Sequence, residues 1–151
     1  MRVAVTGASG LIGSALVPHL RARGHEVVRL VRRAPSSPDE VRWDPTTGDV
    51  DLAGLTDVQG VIHLAGAGVG DKRWTDAYKD EILNSRVQGT TTIALAMVAL
   101  DPQPTVLVCG SAIGYYGDTG DTRITESSPQ GAGFLAEVVA QWEASAKPAV
   151  D

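Results

Sequence analysis

The chain has 151 residues, 43% of them hydrophobic and 21% charged, with a formal net charge of −5 at pH 7. This size allows one globular domain to bury an apolar core without metal, and the single cysteine, Cys109, excludes an internal disulfide. The negative charge disfavours nonspecific nucleic-acid binding, and no apolar run approaches the roughly 20 residues that would span a bilayer. We expect a cytoplasmic protein with neither nucleic-acid nor membrane partners.

Charge is distributed unevenly along the chain. Residues 1–50 carry seven arginines against five acids, whereas residues 51–151 carry six lysines or arginines against thirteen acids. A basic first third suits a small anionic ligand, although scattered solvated arginines would give the same counts.

The first third of the chain predicts alternating strands and helices. The run RVAVTGA predicts a strand, and SGLIGSALVPHLRARG predicts a helix because its apolar residues recur at helical spacing before Gly24. Three further strands are predicted at HEVVRLVRR, VRW and GVIHLAGAG. The last of these is almost entirely apolar, which is typical of a strand buried on both faces.

The second half continues the alternation. A helical pattern extends from Asp71 to Leu100 and stops at DPQP, because proline cannot continue a helix. TVLVCGSA predicts a fifth strand, residues 114–133 predict a long loop, and GAGFLAEVVAQWEASA predicts a final helix.

This alternation predicts an α/β fold of the Rossmann type, a doubly wound parallel sheet in a three-layer αβα arrangement. We expect residues 1–151 to form a single domain. The chain stops directly after a helix, where another strand would follow. We therefore expect the N-terminal part of a longer protein, truncated before the last strands.

The segment TGASGLIG lies between the first strand and the first helix. It places Gly7, Gly10 and Gly13 at the spacing of a dinucleotide-binding turn. In such a turn, the first glycine makes the tight bend, the second lets the backbone approach a pyrophosphate, and the third lets helix and strand pack closely. The N–H groups that open the helix then face the anion.

The end of the second strand carries information about the nucleotide. NAD-binding proteins usually place an acid there for the ribose hydroxyls, whereas this chain has Arg32 and Arg33. Because a guanidinium can bind a 2′-phosphate through charge-assisted hydrogen bonds, NADP(H) is favoured over NAD(H). We therefore expect residues 1–151 to form an NADP-binding domain. The alternative is that both arginines are solvated residues ending a strand.

The motifs together resemble the extended short-chain dehydrogenase/reductase superfamily: TGASGLIG, VIHLAGA, GSAIGYYG and ITESSP, in that order. The segments DKRW, EILNSRVQGT, GSAIGYYGD and QWE resemble, more closely, its atypical NAD(P)-dependent epimerase-family proteins, which are labelled SulA-like or cell-division-inhibitor-like. The resemblance covers the whole chain, and members are about twice as long. It therefore implies that the remaining sheet strands and a C-terminal substrate region are absent from this chain.

The resemblance implies a set of cofactor-binding residues in addition to Arg33. The pyrophosphate would be lined by Gly7, Ser9, Gly10, Leu11, Ile12 and Gly13, the 2′-phosphate would meet Arg32, the riboses would lie over Leu64 and Ala65, and Glu81 and Arg86 would face the cofactor. By spacing alone, Glu81 and Arg86 could equally be a solvated or intrahelical pair. His63 on the fourth predicted strand is interpreted as a core histidine.

Catalysis is where the chain departs from the superfamily. The usual Tyr and Lys, four residues apart, align with Phe134 and Val138, and neither side chain can carry a proton. Ser111 keeps the place of the substrate-holding hydroxyl, unless the register puts Ala112 there. Tyr115 or Tyr116 could supply a phenol, or could simply pack the loop.

Two functions therefore remain open. One is an NADP(H)-dependent oxidoreductase or epimerase of unknown substrate with a nonstandard proton donor. The other is a noncatalytic NADP(H)-binding sensor or regulatory module. Ordinary nucleotide-sugar epimerisation is disfavoured because the proton-transfer pair is missing. No metal-ligand cluster is evident in the sequence, and a homo-oligomer could cover an exposed sheet edge.

Overall fold

The chain folds into one six-stranded sheet flanked by helices in a computed structural model that describes residues 1–150. The strands are β1 (Arg2–Thr6), β2 (Glu26–Val31), β3 (Glu40–Asp44), β4 (Asp49–Val50), β5 (Gly60–His63) and β6 (Val106–Cys109). The helices are α1 (Leu11–Ala22), α2 (Asp76–Ala99) and α3 (Phe134–Ala144), and short 3₁₀ segments cover Leu52–Leu55, Ile113–Tyr116 and Lys147–Ala149.

The sheet has the strand order β4-β3-β2-β1-β5-β6. All pairs are parallel except β3 with β4, which is antiparallel. The chain builds outward from β1 to β4 and then returns to add β5 on the other side of β1. Ligands of such sheets bind above the carboxyl ends of the strands where this reversal occurs, here between β1 and β5.

The core lies on both faces of the sheet. Alternate residues of β1 face opposite ways: Val3 and Val5 pack with Val17 of α1, whereas Ala4 joins a larger cluster with Ile93 and Met97 of α2. Helix α3 packs against α2 through a third cluster of Tyr78, Ile82 and Val138. The predicted Rossmann-type α/β sheet with helices on both faces is confirmed.

Some predicted boundaries are corrected. The helix expected from Asp71 begins at Asp76, because the Thr75 side chain accepts a hydrogen bond from the Tyr78 amide (3.2 Å) and caps the helix there. The strand predicted through GVIHLAGAG ends at His63. The two-residue strand β4 was not anticipated, since Asp49–Val50 is too short to show a period. Within residues 1–150, no helix has the length and apolarity needed to cross a membrane.

Candidate functional site

A groove of about 920 Å³ opens above the carboxyl ends of the strands. Its walls are the turns that follow β1, β2 and β5, together with one face of α2. Its volume lies at the upper end of the range of roughly 300–1,000 Å³ typical of ligand pockets. Eight of the predicted cofactor residues line it: Gly7, Ser9, Gly10, Arg32, Arg33, Leu64, Ala65 and Glu81.

The glycine turn is packed so closely that side chains are excluded at its first and last glycines. Gly7 has a φ of +65°, and a Cβ there would lie 2.8 Å from the Leu64 carbonyl carbon. A Cβ on the buried Gly13 would lie 2.3 Å from the Gly7 oxygen. The structure therefore bears out the steric reason for these two glycines.

Helix α1 presents an uncapped, positive N-terminus at this turn. Gly10 is the N-cap and supplies no side-chain hydrogen bond, and the first turn contains no acid. The first N–H groups of the helix have no intrahelical acceptor, and the helix dipole favours an anion there. Leu11 and Ile12, although predicted as cofactor residues, carry exposed side chains that do not line the groove.

Thr6 connects the glycine turn to the loop after β5. Its buried hydroxyl oxygen accepts hydrogen bonds from the amides of Leu64 (3.1 Å) and Ala65 (3.2 Å) and lies 2.7 Å from His63 Nδ1. These bonds draw the two amides out of the sheet ladder, end β5 and turn Leu64 and Ala65 into the groove wall. The sequence analysis did not identify this role of Thr6.

His63 is a core residue, as interpreted from its strand. Its side chain is fully buried, and burial lowers its pKa to about 4, so the ring is neutral at pH 7. Because the Thr6 oxygen already accepts two bonds, we assign its proton to His63 Nδ1 and the ring proton to Nε2. Nε2 has no hydrogen-bond partner within residues 1–150, and the ring meets Trp43 edge-on at 5.9 Å.

The end of the groove beside β2 is basic and built on a buried carboxylate. Glu40, whose side chain is 2% exposed, accepts hydrogen bonds from both terminal nitrogens of Arg33 (2.8 and 2.6 Å) and from the Ser36 amide. The hydrogen bonds from Arg33 lower the pKa of Glu40 to about 2. Arg29 binds Asp39 at 2.9 Å and holds the pKa of that carboxyl well below its usual range. Arg29 and Arg33 are thus both held in salt bridges, by Asp39 and Glu40, and Asp39 also binds Arg21.

Arg32 differs from Arg29 and Arg33 in having no acidic partner among the described residues. It is exposed, lines the groove, and forms no hydrogen bond or salt bridge with any residue between 1 and 150. Among residues 1–150 its guanidinium thus has no acidic partner, whereas Arg29 and Arg33 bind Asp39 and Glu40. Sequence reasoning named both arginines, and the structure shows that Glu40 occupies one of them.

One face of α2 forms the opposite wall. Glu81, Asn84, Ser85 and Gln88 recur at helical spacing, and all four line the groove. Glu81 accepts a hydrogen bond from the groove-lining Lys72 (3.1 Å), which raises the pKa of that lysine. The sequence analysis named only Glu81, although the polar stripe on this helix was a signal for the other three.

Arg86 lies outside the groove. Its Nη1 donates to the carbonyls of Ala67 (2.9 Å) and Ile82 (3.1 Å), and its guanidinium carbon lies 5.2 Å from the centre of the Trp142 ring. Burial lowers the pKa of the guanidinium. The alternative of an intrahelical pair with Glu81 does not hold, because Glu81 pairs with Lys72.

Phe134 and Val138, which were predicted to take the places of the superfamily's Tyr and Lys, make apolar contacts. Val138 is buried with Tyr78 and Ile82, and Phe134 packs against that cluster and meets Trp74 edge-on at 5.5 Å. A second, smaller pocket of about 130 Å³ is lined by Val138, Arg86 and Trp142, among others. Neither aromatic ring nor aliphatic side chain at these places can transfer a proton.

The other proposed catalytic groups are not in the groove lining. The exposed Ser111 donates to Glu143 Oε1 at 2.5 Å. Tyr115 and Tyr116 are half-buried in a 3₁₀ segment and pack edge to face at 5.2 Å. The structure thus places Ser111, Tyr115 and Tyr116 in one stretch after β6 but does not bring their polar atoms to the groove.

Cys109 at the end of β6 is half-buried, and burial raises the pKa of its thiol, so it is not an activated thiolate. Within residues 1–150, no three His, Cys, Asp or Glu side chains are grouped closely enough to hold a metal ion.

Comparison with known proteins identifies a family and several relatives. A model of the NAD dependent epimerase/dehydratase family matches residues 3–133. The epimerase family protein Mb2239 of Mycobacterium bovis is 43% identical over 147 residues, which cover 97% of this chain and 48% of the relative. The human epimerase family protein SDR39U1 is 34% identical over 150 residues and is covered to 49%. The chain thus spans about half the length of these curated relatives.

Solved structures agree with the fold. The crystal structure of human SDR39U1 (isoform 2) with NADPH superposes with a TM-score of 0.85 at 33% identity, covering 97% of this chain and 48% of that one. The nucleoside-diphosphate sugar epimerase from Corynebacterium glutamicum also superposes with a TM-score of 0.85, at 39% identity, covering 100% of this chain and 31% of that one.

Proposed function

Because the chain belongs to the NAD dependent epimerase/dehydratase family, we propose that its groove binds NADP(H). The observation that carries this proposal is the pairing of two anion sites in one groove. The uncapped start of α1 meets a closely packed glycine turn, and Arg32 stands without a protein partner among the described residues. The human relative SDR39U1, at 33% identity, was crystallised with NADPH.

The residues present fit the chemistry of this cofactor. The α1 amides would hold the pyrophosphate, Leu64 and Ala65 would lie beside the riboses, and Arg32 would bind the 2′-phosphate. A carboxylate that would repel this phosphate is present nearby as Glu40, but Arg33 and Ser36 already hold both of its oxygens. The basic network therefore favours NADP(H) over NAD(H) at this end.

Calorimetry with NADPH and NADH tests the proposal directly. We expect NADPH to bind at least ten times more tightly than NADH, the factor that corresponds to about 1.4 kcal/mol. Equal affinities would contradict the preference for the 2′-phosphate. No heat with either nucleotide, on a protein shown to be folded by circular dichroism, would contradict the proposed function itself.

For the reaction, we propose an oxidoreductase of unknown substrate. NADPH would supply a hydride when bound, and reduction of a carbonyl would also need a proton donor other than a tyrosine at position 134. Ser111, Tyr115 and Tyr116 are the candidates, and their side chains would have to turn toward the groove from the positions they hold here. Incubation with 4-labelled NADPH and a panel of carbonyl compounds, followed by measurement of label loss, tests this role.

A specific observation favours a second candidate, a noncatalytic NADP(H)-binding sensor. Phe134 and Val138 are packed in the apolar contacts between α2 and α3, and the Ser111 hydroxyl is bound to Glu143. Label transfer that disappears in Tyr116→Phe supports the oxidoreductase. Tight NADPH binding with no transfer to any carbonyl compound supports the sensor.

A further inference from the structure

The loop after β5 is rich in glycine, yet its backbone is held in place by neighbouring side chains. Residues 65–70 read AGAGVG, and glycine loses more conformational entropy on ordering than any other residue. Three of its carbonyl groups nevertheless accept side-chain hydrogen bonds: Ala67 from Arg86, Gly68 from the Tyr78 hydroxyl, and Val69 from Trp74 Nε1 at 2.7 Å.

The tightest restraint is on Ala67, whose two peptide groups are both held from adjacent positions of α2. Its amide donates to Ser85 Oγ at 3.0 Å, and its carbonyl accepts from Arg86 Nη1 at 2.9 Å. Both side chains also donate to the Ile82 carbonyl at 3.1 Å, which ties them to the fully buried part of the helix. We call Ser85 and Arg86 the Ala67 clamp.

Arg86 is unusual because it is a half-buried cation without an acidic partner within residues 1–150. Removing a guanidinium from water costs free energy unless its donors are satisfied. Here the satisfied donors reach backbone carbonyls, and the Trp142 ring supports the guanidinium from α3. The contacts of this side chain are therefore with the frame of the loop, not with the groove.

We propose that the Ala67 clamp holds the loop at residues 65–69 in the shape that lines the groove, which makes Arg86 a positioning residue for the ligand. The inference about loop order stands on the geometry alone, while its consequence for affinity rests on the proposed NADP(H) function. The clamp orders a glycine-rich wall before the ligand arrives, so the entropy of ordering is not charged against binding. Trp74 of the DKRW segment and Ser85 and Arg86 of the EILNSR segment therefore share one role, which is to hold this loop in place.

The first test needs no nucleotide. Amide hydrogen exchange is measured in the unliganded protein for Arg86→Gln, with Arg73→Gln as a control that loses the same charge from an exposed residue. We expect Arg86→Gln to speed exchange of the Ala67 amide, which donates to Ser85 Oγ, about fivefold or more, the factor for one lost hydrogen bond, and Arg73→Gln to change it less than about twofold. Ser85→Ala, which removes the other arm, should speed the Ala67 amide similarly.

The second test measures affinity for NADPH and NADH. The clamp holds a wall shared by both nucleotides, so Arg86→Gln should weaken both by the same factor, about five- to tenfold for one lost hydrogen bond. Unchanged exchange in both Arg86→Gln and Ser85→Ala would overturn the clamp. Faster exchange with unchanged affinity would overturn its role in positioning. If the wild type binds neither nucleotide while exchange still responds, the proposed function fails and the clamp stands.

Discussion

Replacing Arg32 with alanine should separate the two nicotinamide nucleotides. The side chain is exposed and has no protein partner in the described range, so its removal leaves no buried group unsatisfied and should change stability by less than about 0.5 kcal/mol. A charge-assisted hydrogen bond to the 2′-phosphate contributes about 1.5–3 kcal/mol, which corresponds to a rise in the Kd for NADPH of about 10- to 150-fold. The Kd for NADH should stay within about twofold.

Calorimetry of both nucleotides with the wild type and Arg32→Ala provides the measurement, and Arg23→Ala is a matched control. Arg23 is exposed at the C-terminal end of α1 and lies outside the groove lining. Raising the salt to roughly 1 M, where the Debye length is about 3 Å, should narrow the NADPH difference because the site is open to solvent. Arg32→Asp should favour NADH further, since a carboxylate repels the 2′-phosphate and can accept from ribose hydroxyls.

Arg33→Ala provides the contrast that the structure makes possible. Arg33 is held by Glu40, so its loss should lower the thermal midpoint by leaving a buried carboxylate short of its main partner, while the ratio of NADPH to NADH affinity changes less than in Arg32→Ala. Equal losses of NADPH and NADH in Arg32→Ala would refute the assignment of the free guanidinium to the 2′-phosphate. A larger effect of Arg33→Ala on the ratio would show that the two arginines exchange roles.

Three further predictions concern the residues that frame the groove. The pKa of Glu40 is lowered from 4.5 to about 2, so its ion pair stabilises the fold fully above about pH 4.5 and loses that contribution as the pH falls to 2. Glu40→Gln should lower the midpoint of thermal unfolding at pH 6, and that midpoint should fall less between pH 6 and 3 than in the wild type, as followed by circular dichroism. Gly13→Ala should lower the free energy of unfolding in urea by about 1–3 kcal/mol, because its Cβ would lie 2.3 Å from a backbone oxygen. Gly70→Ala, which has open space around its Cβ, should be nearly neutral. Similar values for both variants would contradict the steric explanation. Thr6→Val should cost about 1–3 kcal/mol because it removes the acceptor of two half-buried amides, and Thr6→Ser should recover most of that loss in the same assay. A neutral Thr6→Val would mean that those bonds contribute nothing.

Local sequence patterns were sufficient to predict a feature wherever that feature depends on residue type and spacing alone. The glycine spacing of TGASGLIG was readable because Gly7 and Gly13 leave no room for a Cβ. The alternation of strands and helices was readable because each buries an apolar face with its own period. The apolar character of Phe134 and Val138 was equally readable, and the structure shows them packed in the contacts between α2 and α3.

Pairings between distant residues were not readable in this way. Arg32 and Arg33 are identical in sequence terms, and only the return of β3 beside β2 brings Glu40 onto one and leaves the other free. Arg86 occupies the helix expected to face a cofactor, but the fold of the loop after β5 turns its guanidinium to the Ala67 carbonyl. Thr6 gave no signal at all, because its partners lie 58 and 59 residues along the chain.

The sequence by itself therefore determined the class of fold, the place of the glycine turn and the apolar character of positions 134 and 138, since all three follow from residue type and local spacing. The tertiary structure alone decided which guanidinium is available to a ligand and which residues hold the groove wall. Both depend on hydrogen bonds and salt bridges between residues that are distant in the sequence and meet only in the folded protein. Whether an arginine is available to a ligand is therefore decided by the acid it meets and not by its place in the sequence.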